Sequence, residues 1–182
     1  MTPDPIDRAV PRATTVLSPI VAVHFDGACQ PPHGGIATYG FVVEGPELAY
    51  EERGPAVAPG SPRATNNIAE YVGAIRALEW LRSRSFSGTV IVYGDSQLVV
   101  RQMRGEYAVR SEHLVPYHAH LQNLVRGFAE VRFEWVPRSE NRRADALSKQ
   151  ALEEVRGATG REPDRAAETR GVADDPGAVD PD

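Results

Sequence analysis

The sequence predicts an α/β fold in which a mixed sheet of five strands is flanked by helices. Apolar residues alternate with period two in five short segments and recur at helical spacing in four others. The segments follow the order β-β-β-α-β-α-α-β-α. Strands joined by short turns should pair antiparallel, whereas strands reached through a helix should be parallel. The predicted sheet therefore contains three antiparallel and two parallel strands.

The five strands are each indicated by local patterning. The first alternates Val21, Val23 and Phe25 with small or polar residues and runs into DGAC. The second and third are separated by the turn signal GPE, the fourth is the apolar run before Asp95, and VRFEWVP alternates as the fifth. The predicted strands span residues 20–25, 37–45, 48–54, 90–93 and 131–137.

The four helices are indicated by apolar residues three and four positions apart. Thr65 or Asn66 is suited to cap the first, which carries Ile68, Tyr71 and Val72 on its apolar side. The predicted helices span residues 65–84, 96–103, 112–127 and 139–155. Both tryptophans, Trp80 and Trp135, are assigned to the core.

The 182-residue chain has the composition of one globular domain, with 41% hydrophobic and 25% charged residues. We expect this domain at residues 19–156, between a flexible arm at 1–18 and an acidic, disordered tail at 157–182. The tail holds seven acids against three arginines, so it accounts for most of the net charge of −5. The chain has one cysteine and no signal-peptide pattern or membrane-spanning apolar run, so we expect a cytoplasmic protein with no membrane partner.

Four acids are predicted to meet at one end of the sheet. Asp26 and Asp95 follow the first and fourth strands, and Glu70 and Asp145 lie about one turn into two helices. In open α/β sheets, sites form just outside the strand ends. Four converging carboxylates would repel one another unless they bound protons or cations. A hard divalent cation such as Mg²⁺ suits an all-oxygen ligand set.

Each acid also has a purely local explanation. Asp26 precedes Gly27 and could form an Asx-turn, and Glu70 could interact with the dipole of its helix. Asp95 could cap the helix after it, and Asp145 could pair with Lys149 four residues on. These explanations do not account for all four acids falling at the same end of the predicted sheet.

Four segments resemble, in order and spacing, the motifs of type 1 ribonuclease H: HFDGAC, ATNNIAEYVGAIRAL, VYGDSQLVV and NRRADALSKQAL. The resemblance covers about residues 20–155 and implies the ribonuclease H-like sheet. It also implies an endonuclease that hydrolyses the RNA strand of RNA–DNA hybrids with two Mg²⁺ ions, or Mn²⁺, leaving 3′-hydroxyl and 5′-phosphate ends. Carried over residue by residue, it makes Asp26, Glu70, Asp95 and Asp145 the metal-binding carboxylates, with Asp26 bridging the ions.

The resemblance also implies substrate contacts. The TNN asparagines would contact sugar, base or phosphate groups, and its threonine would help to bind a DNA-strand phosphate. The loop after the first strand would contact the RNA backbone. The implied contacts are Cys29, Gln30, Thr65, Asn66, Asn67 and Gln97.

Two departures from the family pattern affect the mechanism. Many members carry a histidine in the loop before the last acid, whereas this chain has Arg138 there, as in a subgroup of relatives. We expect Arg138 to stabilise charge on the scissile phosphate or to help product leave. The Lys-rich helix and loop of many bacterial relatives is also missing. Its nearest substitutes are Arg101, Arg104 and Arg110, so we expect weak hybrid binding with a shallow salt dependence.

Other functions remain open at the level of sequence. The chain could be another nuclease of the same superfamily, a binding module that lost the chemistry, or a structural cation-binding domain. Cleavage of double-stranded RNA is also compatible with a chain that lacks the basic handle. We expect a monomer.

Overall fold

The computed structural model describes residues 19–31 and 35–159, which form one sheet and its flanking helices. The strands are β1 (Ile20–Gln30), β2 (Ile36–Glu44), β3 (Ala49–Pro55), β4 (Thr89–Gly94) and β5 (Glu130–Trp135). The helices are α1 (Asn66–Ser83), α2 (Gln97–Met103), α3 (Val115–Val125) and α4 (Arg142–Thr159).

The sheet has the order β3-β2-β1-β4-β5. β1 pairs antiparallel with β2, which pairs antiparallel with β3, while β4 runs parallel to both β1 and β5. The predicted mixed five-stranded sheet is therefore confirmed. β1 lies at its centre because it forms both the hairpin with β2 and the parallel pair reached through α1.

Helices cover both faces of this sheet. Val21, Val23 and Phe25 of β1 belong to a core cluster that includes buried residues of α1, α2 and α3. The buried residues of α4 are outside that cluster, and α4 packs closely against Gly40 of β2. Residues of β1 alternate between the two faces. Consequently, Phe25 faces α1 and the next residue, Asp26, faces α4.

Several element boundaries differ from the sequence prediction. β1 continues from Phe25 to Gln30, because its pairing with β2 extends to the register pair Gln30–Ile36. α3 begins at Val115 rather than 112, after a turn. A 3₁₀ turn at Arg138–Glu140 precedes α4, which begins at Arg142 and continues to Thr159, four residues past the predicted end.

The terminal segments are mostly beyond the described residues. The predicted arm at 1–18 lies wholly outside them, and so does the predicted tail after Thr159. Among the helices that the structure describes, none combines the length and apolar character needed to cross a lipid bilayer.

Candidate functional site

Asp26 and Asp95 lie side by side where the parallel pairing of β1 and β4 ends. Phe25 of β1 is in register with Gly94 of the parallel strand β4, so the two acids occupy corresponding positions. Asp26 is buried and Asp95 is half-buried. Since Asp26 is followed by four more residues of β1, it does not form the Asx-turn considered above. Asp95 does not cap α2 either, because Ser96 accepts the capping hydrogen bond from Val99 N.

Glu70 reaches these two acids from α1. Of the two predicted caps, Thr65 and Asn66, it is Thr65 that caps this helix, by accepting a hydrogen bond from Ile68 N at 3.3 Å. The helix can approach β1 because residue 27 is glycine, since a Cβ there would lie 2.3 Å from Glu70 N. Glu70 is thus 5% exposed. It lies beyond the first turn of α1, which contains no acid, so a favourable dipole interaction does not explain its position.

The three carboxylates form one cluster. Asp26, Glu70 and Asp95 each offer an oxygen, and these oxygens all lie within 4.8 Å of one another. The buried Glu70 Oε2 accepts no hydrogen bond from any residue that the structure describes. Such an uncompensated buried oxygen is costly unless the group binds a proton or a cation.

The raised pKa values of two of these acids also show that their negative charges are poorly compensated. Burial raises the pKa of Asp26 to about 7; a hydrogen bond from Ser148 opposes this, and repulsion from Asp95 and Asp145 adds to it. Burial and repulsion from Asp26 and Asp95 also raise the pKa of Glu70 well above its ordinary value. At neutral pH, without a cation, these groups therefore compete for protons.

Asp145 is held differently from the other three acids. It lies in the first turn of α4 and forms an ion pair with Lys149, whose Nζ is 2.7 Å from Asp145 Oδ2. Arg138 donates to Asp145 Oδ1 from Nε at 3.0 Å and also from Nη2. Burial raises the pKa of Asp145, but these two cations outweigh burial and hold it below its ordinary value. The pairing with Lys149 considered from the sequence is therefore present.

Two buried residues of the α4 segment support the cluster, and neither was predicted. Ser148 Oγ donates a hydrogen bond to Asp26 Oδ2. Asn141 Nδ2 donates to Phe25 O at 2.8 Å and to Asp95 Oδ1 at 3.1 Å. Both residues are polar positions in a helical pattern, and only their burial distinguishes them from surface residues.

Trp135 was wrongly assigned to the core, whereas Trp80 does pack against it, partly buried. Trp135 is 45% exposed at the end of β5, and its Nε1 donates to Asp95 O at 3.1 Å. β5 is the edge strand of the sheet formed by the described residues, so no strand of that sheet covers one side of its last residue. The tryptophan therefore contacts the site instead of the core.

A cleft of about 790 Å³ opens over the acids. Its lining includes Asp26, Glu70 and Asp95 together with Arg138, and three of the six predicted substrate contacts. Those three are Cys29, Gln30 and Asn66. Gln30 is exposed and accepts a hydrogen bond from Arg156 Nη2 at 2.8 Å, and Cys29 Sγ donates to Pro31 O at 3.1 Å.

A second cleft, of about 620 Å³, contains Thr65 and Asn67. It is also lined by the exposed Arg63 and Arg110 and by Ser111. Gln97, the first residue of α2, is exposed and lines neither cleft. The six predicted contacts are thus divided between two adjacent clefts and one surface position.

Comparison with known proteins places the chain among ribonuclease H sequences. Residues 25–151 match the family described as reverse transcriptase-like. Ribonuclease HI of Halobacterium salinarum is 35% identical over 135 residues, covering 74% of this chain and 65% of that protein. Ribonuclease H of Pelobacter propionicus is 31% identical over 172 residues, covering 86% of this chain and 97% of that protein. The chain spans only 25% of the matching bifunctional protein Rv2228c of Mycobacterium tuberculosis.

Solved structures agree with these sequence matches. The N-terminal RNase H domain of Rv2228c, determined as a fusion with maltose binding protein, has a TM-score of 0.70 and 31% identity. That match covers 78% of this chain and 99% of the solved chain. LC11-RNase H1 in complex with RNA/DNA hybrid has a TM-score of 0.66 and 29% identity, covering 74% of this chain and 98% of that one.

Proposed function

The chain belongs to the type 1 ribonuclease H family, and from this membership we propose that it is an endonuclease acting on the RNA strand of RNA–DNA hybrids. Cleavage would leave 3′-hydroxyl and 5′-phosphate ends. The observation that carries the proposal is the convergence of Asp26, Glu70 and Asp95 within 4.8 Å. The solved relative in complex with RNA/DNA hybrid supports the choice of substrate.

The donor set fits divalent metal ions. Asp26, Glu70 and Asp95 offer only carboxylate oxygens, and the buried Glu70 Oε2 has no hydrogen-bond partner among the described residues. Hard cations such as Mg²⁺ and Mn²⁺ prefer such ligands. Two Mg²⁺ ions, when bound, supply activation of the attacking water and stabilisation of the leaving 3′ oxygen. These three acids and Asp145 would hold the ions.

The acids and their neighbours divide the remaining work. Glu70 would lie near the RNA 2′-hydroxyl, the group that distinguishes RNA from DNA. Asn66, which precedes Glu70 by one turn and lines the same cleft, would contact the same strand. Cys29 and Gln30, which line the same cleft, would contact the RNA backbone. The exposed Gln97, which lines neither cleft, would be a further substrate contact.

The second cleft suits a phosphate of the DNA strand. Thr65 offers a hydroxyl and Asn67 an amide, while Arg63 and Arg110 supply positive charge in the same cleft. Arginine forms bidentate contacts with phosphate, and such contacts fix the register of a duplex without reading its sequence. A hybrid lying across both clefts would have its RNA strand over the acids and its DNA strand over Thr65.

Arg138 would act on the scissile phosphate. Its side chain is 66% exposed, lines the acid cleft and pairs with Asp145, so it lies beside the metal ligands while remaining open to substrate. A guanidinium there can stabilise charge that develops on the phosphate, or help product leave. Arg138→Ala should lower turnover at saturating Mg²⁺ by roughly 10²–10³-fold, the usual effect of losing one such donor. The matched control is Arg142→Ala, since Arg142 is an exposed arginine at the start of α4. Unchanged turnover of Arg138→Ala would remove this role.

Two of the three arginines predicted to substitute for the Lys-rich helix and loop of bacterial relatives are engaged by neighbouring residues. Arg104 is engaged by Glu134, by Glu106 and by Phe133 O, and Arg101 interacts with Tyr107. This leaves Arg110 as the most available of the three predicted substitutes. Hybrid binding measured in Ca²⁺ should therefore show a log–log salt slope shallower than about −4, and a steeper slope would contradict this account.

The cleavage assay separates the proposed function from its rivals. The purified protein is incubated with Mg²⁺ and end-labelled RNA–DNA hybrid, double-stranded RNA, single-stranded RNA or DNA, with Asp95→Asn as the inactive control. Internal cuts in the RNA strand of the hybrid support the proposal, and additional cuts in double-stranded RNA would extend it. Cleavage of DNA would indicate another nuclease of the superfamily. Binding without cleavage would indicate a nucleic-acid-binding module that has lost catalytic activity.

The remaining assignments are also part of the proposal. We assign catalysis to the domain predicted at residues 19–156, which the continuation of α4 extends to Thr159. We also propose that the protein is a monomer in the cytoplasm. Size-exclusion chromatography with light scattering tests the monomer. A mass of two chains at assay concentration would overturn it.

A further inference from the structure

We propose that Ser148 is a positioning residue that fixes the carboxylate of Asp26 and thereby strengthens divalent cation binding. The inference rests on the proposed function, because it assigns a supporting residue to the same metal site. Ser148 is fully buried on α4, and its Oγ donates to Asp26 Oδ2 from 122 positions further along the chain. It is the one described hydroxyl that donates to an acid of the three-carboxylate cluster.

The fold brings Ser148 to Asp26 through a glycine. Gly40 is the cross-strand partner of Asp26 in the antiparallel pair of β1 and β2. Directly paired residues project to the same face of a sheet, so a side chain at position 40 would stand beside Asp26. A Cβ at Gly40 would lie 2.6 Å from Ser148 N, so only glycine lets α4 approach this closely.

The backbone of Ser148 is anchored as well. Thr38, also fully buried, donates from Oγ1 to Ser148 O at 2.8 Å. The serine is therefore attached to β2 through its carbonyl and to β1 through its hydroxyl. The two attachments are separate, and only the one made by the hydroxyl reaches an acid of the cluster.

This hydrogen bond opposes the repulsion within the cluster. Asp26 faces Asp95 and Asp145, and an unrestrained carboxylate would turn to increase its distance from both. The single hydrogen of Ser148 Oγ could instead point to Asp145 O, 3.0 Å away, but a carboxylate is the stronger acceptor. With Oδ2 held by Ser148, Asp26 presents a fixed carboxylate plane to an incoming cation. Residues that orient metal ligands in this way typically change metal affinity 10–100-fold.

The test compares the loss of two buried hydroxyls, those of Ser148 and Thr38, each of which donates a hydrogen bond that involves Ser148. Ser148→Ala removes the donor to Asp26, whereas Thr38→Val removes the anchoring bond to the same residue and leaves that donor in place. Mn²⁺ affinity of the full chain, without nucleic acid, is measured by calorimetry and by electron paramagnetic resonance. Circular dichroism establishes that each variant is folded. Ser148→Thr, which keeps the hydroxyl, provides a second variant.

We expect Ser148→Ala to weaken Mn²⁺ binding about tenfold or more. Thr38→Val and Ser148→Thr should stay within about threefold of the parent. Equal affinities for Ser148→Ala and the parent, or equal losses in Ser148→Ala and Thr38→Val, would overturn the inference while leaving the proposed function intact. A parent protein that neither binds Mn²⁺ nor cleaves hybrid would overturn both.

Discussion

Replacing Asp26 with asparagine should abolish turnover and at the same time stabilise the cation-free protein. Asparagine has nearly the same shape as aspartate, and its side-chain oxygen can still accept the hydrogen of Ser148. The substitution therefore removes one negative charge from a 4% exposed position without opening a cavity. A residue proposed to bind metal should thus be, by itself, a source of instability.

The expected magnitude follows from the pKa of Asp26, which burial and its acidic neighbours raise from 3.8 to about 7. Between these values the folded protein binds a proton that the unfolded chain has released, so stability falls as the pH rises from 3.8 to about 7. Asparagine does not titrate. Its advantage should reach at most ~4 kcal/mol at pH 8, and should grow by ~2–3 kcal/mol between pH 5 and pH 8.

Urea unfolding in EDTA at several pH values measures this difference as a free energy of unfolding. Glu47→Gln is a suitable control, because Glu47 is an exposed carboxylate in the turn between β2 and β3 and its loss should change stability by less than ~0.5 kcal/mol. An Asp26→Asn variant that is no more stable than the parent at pH 8 would refute the reasoning. An advantage that stays the same from pH 5 to pH 8 would refute it equally.

Three further outcomes follow from the same site. Saturating Mn²⁺ should raise the melting temperature more at pH 8 than at pH 6, because protons on Asp26 and Glu70 compete with the cation; calorimetric shifts that do not depend on pH would argue against this. Gly27→Ala should destabilise the protein by ~1–3 kcal/mol in urea and weaken Mn²⁺ binding, because its Cβ would force α1 and Glu70 away from β1. Asn141→Ala should cost ~1–3 kcal/mol and lower kcat, since Asp95 Oδ1 and a buried carbonyl lose their donor; a variant with parental stability and turnover would contradict that role.

The position of two of the acids could be predicted because the sequence marks the strands that carry them. An apolar run that stops at Asp95 indicates the end of β4, and an alternating run that reaches Asp26 indicates the part of β1 that pairs with β4. The parallel register of β1 and β4 then brings the two acids together without further information from side chains. The cap at Thr65 was predictable for a similar local reason.

The hydrogen bonds that hold those acids in place could not be predicted, because they depend on how α4 packs against the sheet. Ser148 and Asn141 are ordinary polar residues in the helical pattern, and only the close approach at Gly40 turns one of them toward Asp26. Trp135 was predicted to be buried but is exposed, because alternation along β5 does not reveal that the strand lies at the edge of the sheet. The ion pairs of Asp145 were visible in sequence only for Lys149, four residues away on the same helix.

The dependence of the acid cluster on α4 has a consequence during protein synthesis. Asp26, Glu70 and Asp95 leave the ribosome long before this helix, yet two of them lack their hydrogen-bond donors until it docks. A nascent chain that lacks α4 therefore cannot complete the hydrogen bonding around these carboxylates. The acid cluster reaches its final arrangement only after the last helix of the fold has been synthesised and has packed against β2.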